Sequence, residues 1–254
     1  MAGPVQYLDR AARPRLACRH VAGTSGAGPT IVFLPGYMSD MEGGKATALF
    51  DWAAAEGRAC LLLDYAGCGA SDGLFAEQDL LDWRGDILDL IDAKVAGPVI
   101  LVGSSMGGWL MLLAALALVA RDGPARVAGL VGIAAAPDFT DWGFTAQEKA
   151  IILAEGELRE ETPYSDQPYV TTRRFWQSGE ANRLLEAPIA LACPVRLLHG
   201  EDDGDVPSAI SLRLSAALAS DDVQVTLVKG GDHRLSRDGD IALLIDTVAR
   251  LATP

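Results

Sequence analysis

A serine stands between two glycines at the point where an apolar strand-like run meets an apolar helix-like run. The pattern is Gly103-x-Ser105-x-Gly107, after the strand-like residues 98–102 and before the helix-like residues 109–120. A serine on such a sharp turn projects its hydroxyl at a helix N-terminus, where backbone N–H groups favour a developing negative charge. The glycines remove side-chain atoms that would collide within the turn. The spacing predicts that Ser105 is a nucleophile for acyl transfer.

A serine hydroxyl needs a base to take its proton and an acid to orient that base. The chain has three histidines. His233 lies in a glycine-rich loop after the last apolar strand, at the edge where open α/β sheets bind ligands. His20 lies in an N-terminal hairpin, and His199 ends an apolar strand directly before Gly200. We therefore expect His233 to be the base and the other two histidines to be structural.

The candidate acids are four carboxylates in the loop that follows His199. They are Glu201, Asp202, Asp203 and Asp205. A carboxylate here would accept the imidazole N–H and stabilise the imidazolium without taking its proton. The loop precedes the loop of His233, and spacing alone leaves the choice among the four open.

The oxyanion of an acyl-transfer intermediate needs two N–H donors fixed beside the nucleophile. Met106 follows the serine directly, so its N–H is the first donor. The second is expected from the loop after the first core strand, Phe33-Leu-Pro-Gly-Tyr37, at Tyr37 N–H. The Tyr37 ring is expected either to line the pocket or to pack against its neighbours.

Short apolar runs alternate with helical patterns along the chain, which predicts an α/β fold. The central sheet is expected to be mostly parallel, with helices on both faces and an antiparallel hairpin over residues 6–21 at one edge. The 254 residues fit one domain, 1–254. The expected strands are 30–34, 59–64, 99–102, 127–133, 195–199 and 224–228, and the expected helices are 45–56, 80–94, 106–120, 209–218 and 238–251.

One segment, about 137–190, interrupts this alternation and predicts a helical cap insertion. It has no convincing strand and holds seven of the sixteen aromatic residues. Long insertions in compact domains usually carry function, and aromatic enrichment argues against disorder. Candidate substrate contacts in and near the cap are Leu74, Phe75, Trp142, Phe144 and Trp176. Contact of Cys68, Arg173 or Arg174 with substrate is left open.

Five motifs lie along the chain in a fixed order. They are Phe33-Leu-Pro-Gly-Tyr37, Asp64-Tyr with Ser71-Asp-Gly73, Gly103-Ser-Ser-Met-Gly-Gly-Trp-Leu-Met111, Cys193-Pro-Val-Arg-Leu-Leu-His-Gly200 and Asp232-His-Arg234. Together they resemble the serine hydrolases of the α/β-hydrolase superfamily. A closer likeness is to their mitochondrial acyl-protein thioesterase (depalmitoylase) branch, also described as acyl-glucuronide esterases, of which this chain looks like a bacterial relative.

The resemblance adds the identity of the acid. Residues 199–207 resemble the family pattern H-G-x-x-D-x-x-V-P, and the match places the acid at Asp203. The order Ser105, Asp203, His233 is then the chain order of the α/β-hydrolase triad. The resemblance implies hydrolysis of acyl thioesters or esters through an acyl-enzyme. A broad carboxylesterase or acyl-glucuronide esterase is the alternative, followed by a non-catalytic binding protein with the same fold.

Charge and composition limit the classes of binding partner that the protein is expected to have. The net charge is −13 without a basic block, which excludes nucleic acid as an expected partner. The four cysteines form no C-x-x-C pair, so no metal is expected, and neither is a cofactor. We expect a small-molecule or S-acyl-protein substrate. With no apolar run long enough to span a bilayer and no secretory signal, a cytoplasmic location is expected; the oligomeric state is open.

Overall fold

The computed structural model of the protein describes residues 3–24, 28–162 and 165–253. Within these ranges the core is one eight-stranded sheet in the order β1-β2-β4-β3-β5-β6-β9-β10. Both pairs that involve β2 are antiparallel, and the other neighbours are parallel. The mostly parallel sheet and its edge hairpin are thereby confirmed. The strands are β1 (Gln6–Leu8), β2 (Leu16–Val21), β3 (Thr30–Leu34), β4 (Cys60–Leu63), β5 (Val99–Ser104), β6 (Val127–Ile133), β7 (Glu157–Thr162), β8 (Ser165–Thr172), β9 (Val195–Gly200) and β10 (Val223–Val228).

The central strands are buried on both faces because their side chains alternate between two cores. In β3, Val32 and Leu34 enter one cluster, and Ile31 and Phe33 enter the other. Successive side chains of a strand point to opposite faces, so a continuous apolar run fills both layers. This arrangement explains why the strands appear in the sequence as uninterrupted apolar runs.

Helices cover both faces of the sheet, as predicted. On one side α2 and α3 contribute Trp83 and Leu110, and on the other α1 and α8 contribute Leu49 and Val248. The helix α3, which follows Ser105, is buried nearly all round, as expected for a helix at the centre of an α/β domain. The helices are α1 (Gly44–Ala55), α2 (Leu80–Lys94), α3 (Met106–Asp122), α4 (Phe139–Trp142), α5 (Ala146–Glu155), α6 (Arg173–Ala181), α7 (Ala209–Ala217) and α8 (Asp238–Leu251).

The connection between β6 and β9, called the cap below, contains an antiparallel hairpin as well as helices. It consists of α4, α5, β7, β8 and α6. The expectation of a cap without strands was wrong. Four of the six residues of β7 are charged and Pro168 lies inside β8, so neither strand has the apolar run by which a buried strand is recognised. Tyr164, one of the cap aromatics, lies outside the described residues.

In the part of the chain that the structure describes, no helix has both the length and the apolar character needed to cross a membrane.

Candidate active site

Ser105 occupies a strained turn between β5 and α3. Its φ is 54° and its ψ is −120°, which lies outside the regions that residues with a side chain ordinarily adopt. The surrounding backbone must hold this conformation, since it carries a cost in free energy. Backbone hydrogen bonds do so from both sides: Ser105 N–H donates to the Ile133 carbonyl at 2.9 Å, and Ala136 N–H donates to the Ser105 carbonyl at 3.0 Å.

The two glycines of the motif are required by close backbone approach. A Cβ on Gly103 would lie 2.3 Å from the Gly107 carbonyl oxygen, and one on Gly107 would lie 2.1 Å from the Leu34 carbonyl oxygen. Both distances are far below any real carbon–oxygen contact, and backbone cannot move aside as a flexible side chain can. The turn therefore accepts only glycine at both positions.

The Asp203 carboxylate is buried and fully engaged in hydrogen bonds. Its side chain is 1% exposed. Oδ1 accepts N–H bonds from Asp205 at 2.9 Å and Val206 at 2.8 Å, and Oδ2 lies 2.9 Å from His233 Nδ1. Burial by itself raises the pKa of Asp203, but the hydrogen bonds from His199, His233 and Val206 outweigh it and hold the pKa well below its ordinary value. The group is an anion at neutral pH.

His233 joins the acid to the serine. Its Nδ1 faces Asp203 and its Nε2 lies 3.1 Å from Ser105 Oγ, so the three side chains form one continuous hydrogen-bonded chain. The loop of His233 contacts the acid loop, since Asp202 N–H donates a hydrogen bond to the Gly231 carbonyl at 2.8 Å. The geometry is that of a general base beside a nucleophile, with the base oriented by a carboxylate.

The other two histidines do not line the cavity. His20 is in β2, on the opposite side of the sheet order from β9 and β10, and burial lowers its pKa. His199 is fully buried at the end of β9 and contacts Asp203 without reaching the cavity.

Tyr37 and Met106, the expected oxyanion donors, lie beside the serine. Gly36 packs directly against it, since a Cβ added to Gly36 would lie 3.4 Å from Ser105 Cβ, and Tyr37 is the next residue. Met106 begins α3, so its N–H has no partner within the helix. Both residues line the cavity in front of the serine. The arrangement fits a site that stabilises an oxyanion.

The cavity has a volume of about 500 Å³ and is built from core loops on one side and from the cap on the other. This volume is in the ordinary range for small-molecule sites. The core supplies Ser105, His233 and the segment 35–40. The cap supplies the aromatic residues Phe139, Trp142, Phe144 and Tyr169, together with Glu160 and Thr171 of the hairpin.

A sequence profile described as "Alpha/beta hydrolase family" matches residues 31–242, which include the whole of this site. The chain belongs to the alpha/beta hydrolase family. It is 40% identical to "Palmitoyl-protein thioesterase ABHD10, mitochondrial" of Mus musculus over 96% of this chain and 81% of that protein. The Homo sapiens protein of the same name is also 40% identical, over 96% of this chain and 78% of its own length.

Two solved structures support the same assignment. A putative hydrolase from Agrobacterium vitis S4 superposes with a TM-score of 0.92 at 37% identity, covering 99% of this chain and 100% of the other. Alpha/beta hydrolase domain-containing protein 10 from mouse superposes with a TM-score of 0.88 at 39% identity, covering 98% of both chains. Both comparisons include the cap, so this family member shares its whole architecture with them.

Of the five substrate contacts expected from the sequence, Trp142 and Phe144 line the cavity and Leu74, Phe75 and Trp176 do not. The Leu74 side chain is 63% exposed to solvent. Phe75 packs behind the cavity wall, with its ring centroid 5.3 Å from that of Tyr37. Trp176 turns its indole N–H to the Thr140 carbonyl at 3.0 Å. Leu74 and Phe75 lie between β4 and α2, outside the cap, and Trp176 lies in α6. Contact of these three residues with substrate stays a prediction.

Three further side chains were left open, and none of them lines this cavity. Cys68 is buried in the core, where burial and nearby carboxylates raise its pKa to about 12. Arg174 pairs with Asp82 at 2.7 Å on the surface. Arg173 donates to the Ile152 carbonyl at 3.3 Å and so connects α6 to α5.

The sequence reasoning missed the polar part of the cavity wall. Lys45 of α1 and Arg234 line the cavity, and Lys45 Nζ donates to the Arg234 carbonyl. Burial and the Arg234 charge lower the pKa of Lys45 to about 8. The sequence does carry a signal for Lys45. It directly follows two glycines in the segment 43–45, a short distance along the chain from the Tyr37 loop.

Asp203, Asp205 and His233 are a set of residues whose ligand atoms lie within 4.8 Å of one another in the described ranges. Their atoms already bond one another and the backbone, since His233 Nδ1 faces Asp203 Oδ2 and Asp203 Oδ1 accepts two N–H bonds. The expectation of a site without metal or cofactor stays a prediction.

Proposed function

We propose that this protein is a serine hydrolase that cleaves acyl thioesters and esters through a covalent acyl-enzyme. The observation that carries the proposal is the chain of contacts from Ser105 Oγ through His233 to the buried Asp203, with distances of 3.1 Å and 2.9 Å. A serine in reach of a carboxylate-oriented histidine is the arrangement that activates a hydroxyl for attack on a carbonyl. The roles of nucleophile, base and acid follow in that order.

In the acylation step His233 Nε2 takes the proton of Ser105 Oγ while Oγ attacks the carbonyl carbon of the substrate. The carbonyl oxygen becomes negative and accepts N–H bonds from Tyr37 and Met106. Asp203 stays ionised and stabilises the imidazolium, which its lowered pKa favours. The carbon–sulfur or carbon–oxygen bond then breaks, and His233 returns the proton to the leaving thiol or alcohol.

In the deacylation step a water molecule replaces the leaving group. His233 takes a proton from the water as its oxygen attacks the acyl carbon, and the same two N–H groups stabilise the second oxyanion. Collapse releases the carboxylic acid as the bond to Oγ breaks, and His233 returns the proton to Ser105. The cycle needs no group beyond these residues and water.

The substrate class rests on the relatives and on the cavity wall. The similar proteins of mouse and human are named palmitoyl-protein thioesterases, and they match this chain over nearly its whole length. Phe139, Trp142 and Phe144 form an apolar wall suited to an acyl chain. We therefore favour long-chain S-acyl groups, on a small molecule or a protein, over short acyl esters. The cytoplasmic location expected from the sequence stays a prediction.

The test is a panel of matched thioesters and oxygen esters of increasing chain length, with Ser105→Ala as the inactive control. We expect kcat/KM to rise with chain length and to be higher for thioesters of the same acyl group. Higher kcat/KM for oxygen esters at every chain length would contradict the thioesterase function and favour a broad carboxylesterase. Failure of a fluorophosphonate to label Ser105 in the folded protein would favour a non-catalytic binding protein.

A further inference from the structure

A second histidine contacts the acid of the site from behind. His199 Nε2 lies 3.2 Å from Asp203 Oδ2, the same oxygen that faces His233, and 2.9 Å from the Val206 carbonyl oxygen. Its Nδ1 lies 2.7 Å from the Oγ of Ser211 in α7. His199 is fully buried and Ser211 is 1% exposed, so water does not compete for these contacts.

The contacts assign the proton of the His199 ring. Two oxygen acceptors, Asp203 Oδ2 and the Val206 carbonyl, face Nε2, so Nε2 carries the hydrogen and donates. In the neutral ring Nδ1 is then an acceptor, and the Ser211 hydroxyl donates to it. The opposite tautomer would leave three lone pairs facing one another in a buried site, at a high cost in free energy.

We infer that His199 is a positioning residue for the reaction, because its Nε2–H, shared between the Val206 carbonyl and Asp203 Oδ2, helps to hold the carboxylate that orients His233. The inference rests on the proposed function, since it concerns the same three side chains. Asp203 Oδ1 is held by the N–H groups of Asp205 and Val206, and Oδ2 is held by the two histidines. With both oxygens engaged, the carboxylate cannot rotate away from His233.

The contact of the shared Nε2–H with Asp203 Oδ2 also has an electrostatic effect. A donor on Oδ2 withdraws part of the negative charge that Asp203 presents to His233. Removal of that donor leaves a more basic carboxylate, which stabilises the His233 imidazolium and raises the pH at which His233 loses its proton. His199→Leu should therefore move the acid limb of the pH–rate profile to higher pH. A purely structural role for His199 would leave that limb in place.

The other ionisable groups around His233 are the same in all the variants compared. They come from the acid loop, the His233 loop, α1 and the cap hairpin, and are Asp203, Asp205, Asp232, Arg234, Lys45 and Glu160. A difference in pH profile between variants at position 199 therefore reports the hydrogen bond to Asp203.

The experiment measures the rate at which a fluorophosphonate modifies Ser105 as a function of pH, a readout that needs no knowledge of the natural substrate. It compares the parent with His199→Leu, which has no donor, and His199→Gln, whose amide can donate from nearly the position of Nε2. Ser211→Ala keeps the histidine but removes the hydroxyl that donates to Nδ1 and thereby strengthens Nε2–H as a donor. Thermal unfolding of each variant is recorded beside the rates.

We expect His199→Leu to slow modification about tenfold, the effect of one lost hydrogen bond to a buried charge, and to move the acid limb to higher pH. His199→Gln should recover most of the rate and the parent pH midpoint, and Ser211→Ala should slow modification by about two- to fivefold. If His199→Leu does not fold, the same inference requires Ser211→Ala to shift the acid limb in the same direction.

Parent-like rates and midpoints in folded His199→Leu would overturn the inference, and so would equal impairment of the leucine and glutamine variants. If His199→Leu does not fold, an unchanged midpoint in Ser211→Ala would overturn it instead. An absence of labelling in the parent itself is a different result, because it contradicts the proposed function rather than the role of His199.

Discussion

The two walls of the cavity are held in place by different kinds of contact. The core wall consists of turns whose positions are fixed by backbone contacts so close that a single added carbon would collide, as at Gly107. The cap wall consists of a half-exposed hairpin and short helices joined to the core by aromatic packing and by a few hydrogen bonds, such as the one from the Tyr37 hydroxyl to the Val170 carbonyl at 2.6 Å. In the proposed function, the core wall supplies the reacting groups and the cap wall supplies the apolar surface that an acyl chain would contact.

The largest effect is expected in the core wall, from loss of the base. His233→Ala should lower kcat by about 10⁴-fold while the protein remains folded, because Ser105 then has no group to take its proton. His20→Ala is the matched control, since His20 is a histidine outside the cavity, and it should retain parent kcat. Steady-state kinetics on an acyl thioester measures both. Comparable losses in the two variants would contradict the assignment of the base.

The second prediction tests whether the core wall tolerates any added volume. Gly107→Ala should lower the free energy of unfolding by about 3 kcal/mol or more, because its Cβ would meet the Leu34 carbonyl. Gly97→Ala is the control, since a Cβ there meets nothing within 4 Å. Urea denaturation compares the two variants. A Gly107→Ala variant as stable as Gly97→Ala would show that backbone contact does not hold the turn.

The third prediction compares two tryptophans of the cap that differ mainly in position. Trp142 lines the cavity and Trp176 does not, yet both are half-buried and both donate an indole N–H to a backbone carbonyl. Trp142→Ala should lower kcat/KM for long-chain thioesters by about tenfold and leave short chains nearly unchanged, since its ring offers apolar surface that a long acyl chain would cover more fully than a short one. Trp176→Ala should change neither by more than about twofold. An equal loss for both variants would mean that the cap acts only as a structural cover.

The last prediction concerns the pH dependence of stability and a core carboxylate beneath the Tyr37 loop. Burial raises the pKa of Asp64 to about 6, although N–H bonds from Ala70 and Met41 act in the opposite direction. Its pKa is therefore higher in the folded than in the unfolded state, and the contribution of Asp64 to the free energy of unfolding falls as pH rises from about 4 to 6, by at most about 1.4 kcal/mol per pH unit.

Asp64→Asn should remove this decline, as measured by urea denaturation from pH 4 to 7. Asp203→Asn should keep it, because the pKa of Asp203 is lowered on folding and its contribution to stability is lost only as pH falls below about 4. A difference between parent and Asp64→Asn that is constant from pH 4 to 7 would contradict the assignment.

The same comparison explains how much could be predicted from the sequence. The strand β6 and the helices α2 and α8 begin and end where their apolar patterns do, because each packs against the continuous core. The turn at Ser105 was predictable because its steric requirement is local: it needs glycine two residues before and two residues after the serine. Asp203 was selected from four neighbouring acids only through a family motif.

The structure of the cap was less predictable because its contacts join residues far apart in the sequence and bury its side chains only in part. The charged strand β7 is stabilised by its partner β8 and not by a buried face, so its sequence lacks the pattern of a core strand. Which aromatic side chains face the cavity depends on how α4 and α6 pack on the sheet. The role inferred for His199 was likewise invisible, since it depends on Ser211, which lies in the next helix.

The most direct test of the proposed mechanism is to find which residue carries the acyl group during turnover. The protein is mixed with a long-chain acyl thioester, quenched within one turnover, digested and analysed by mass spectrometry. We expect the acyl group on Ser105, and no acylated protein in the Ser105→Ala variant. Turnover with no acylated serine, or with the acyl group on the adjacent Ser104, would contradict the proposed mechanism.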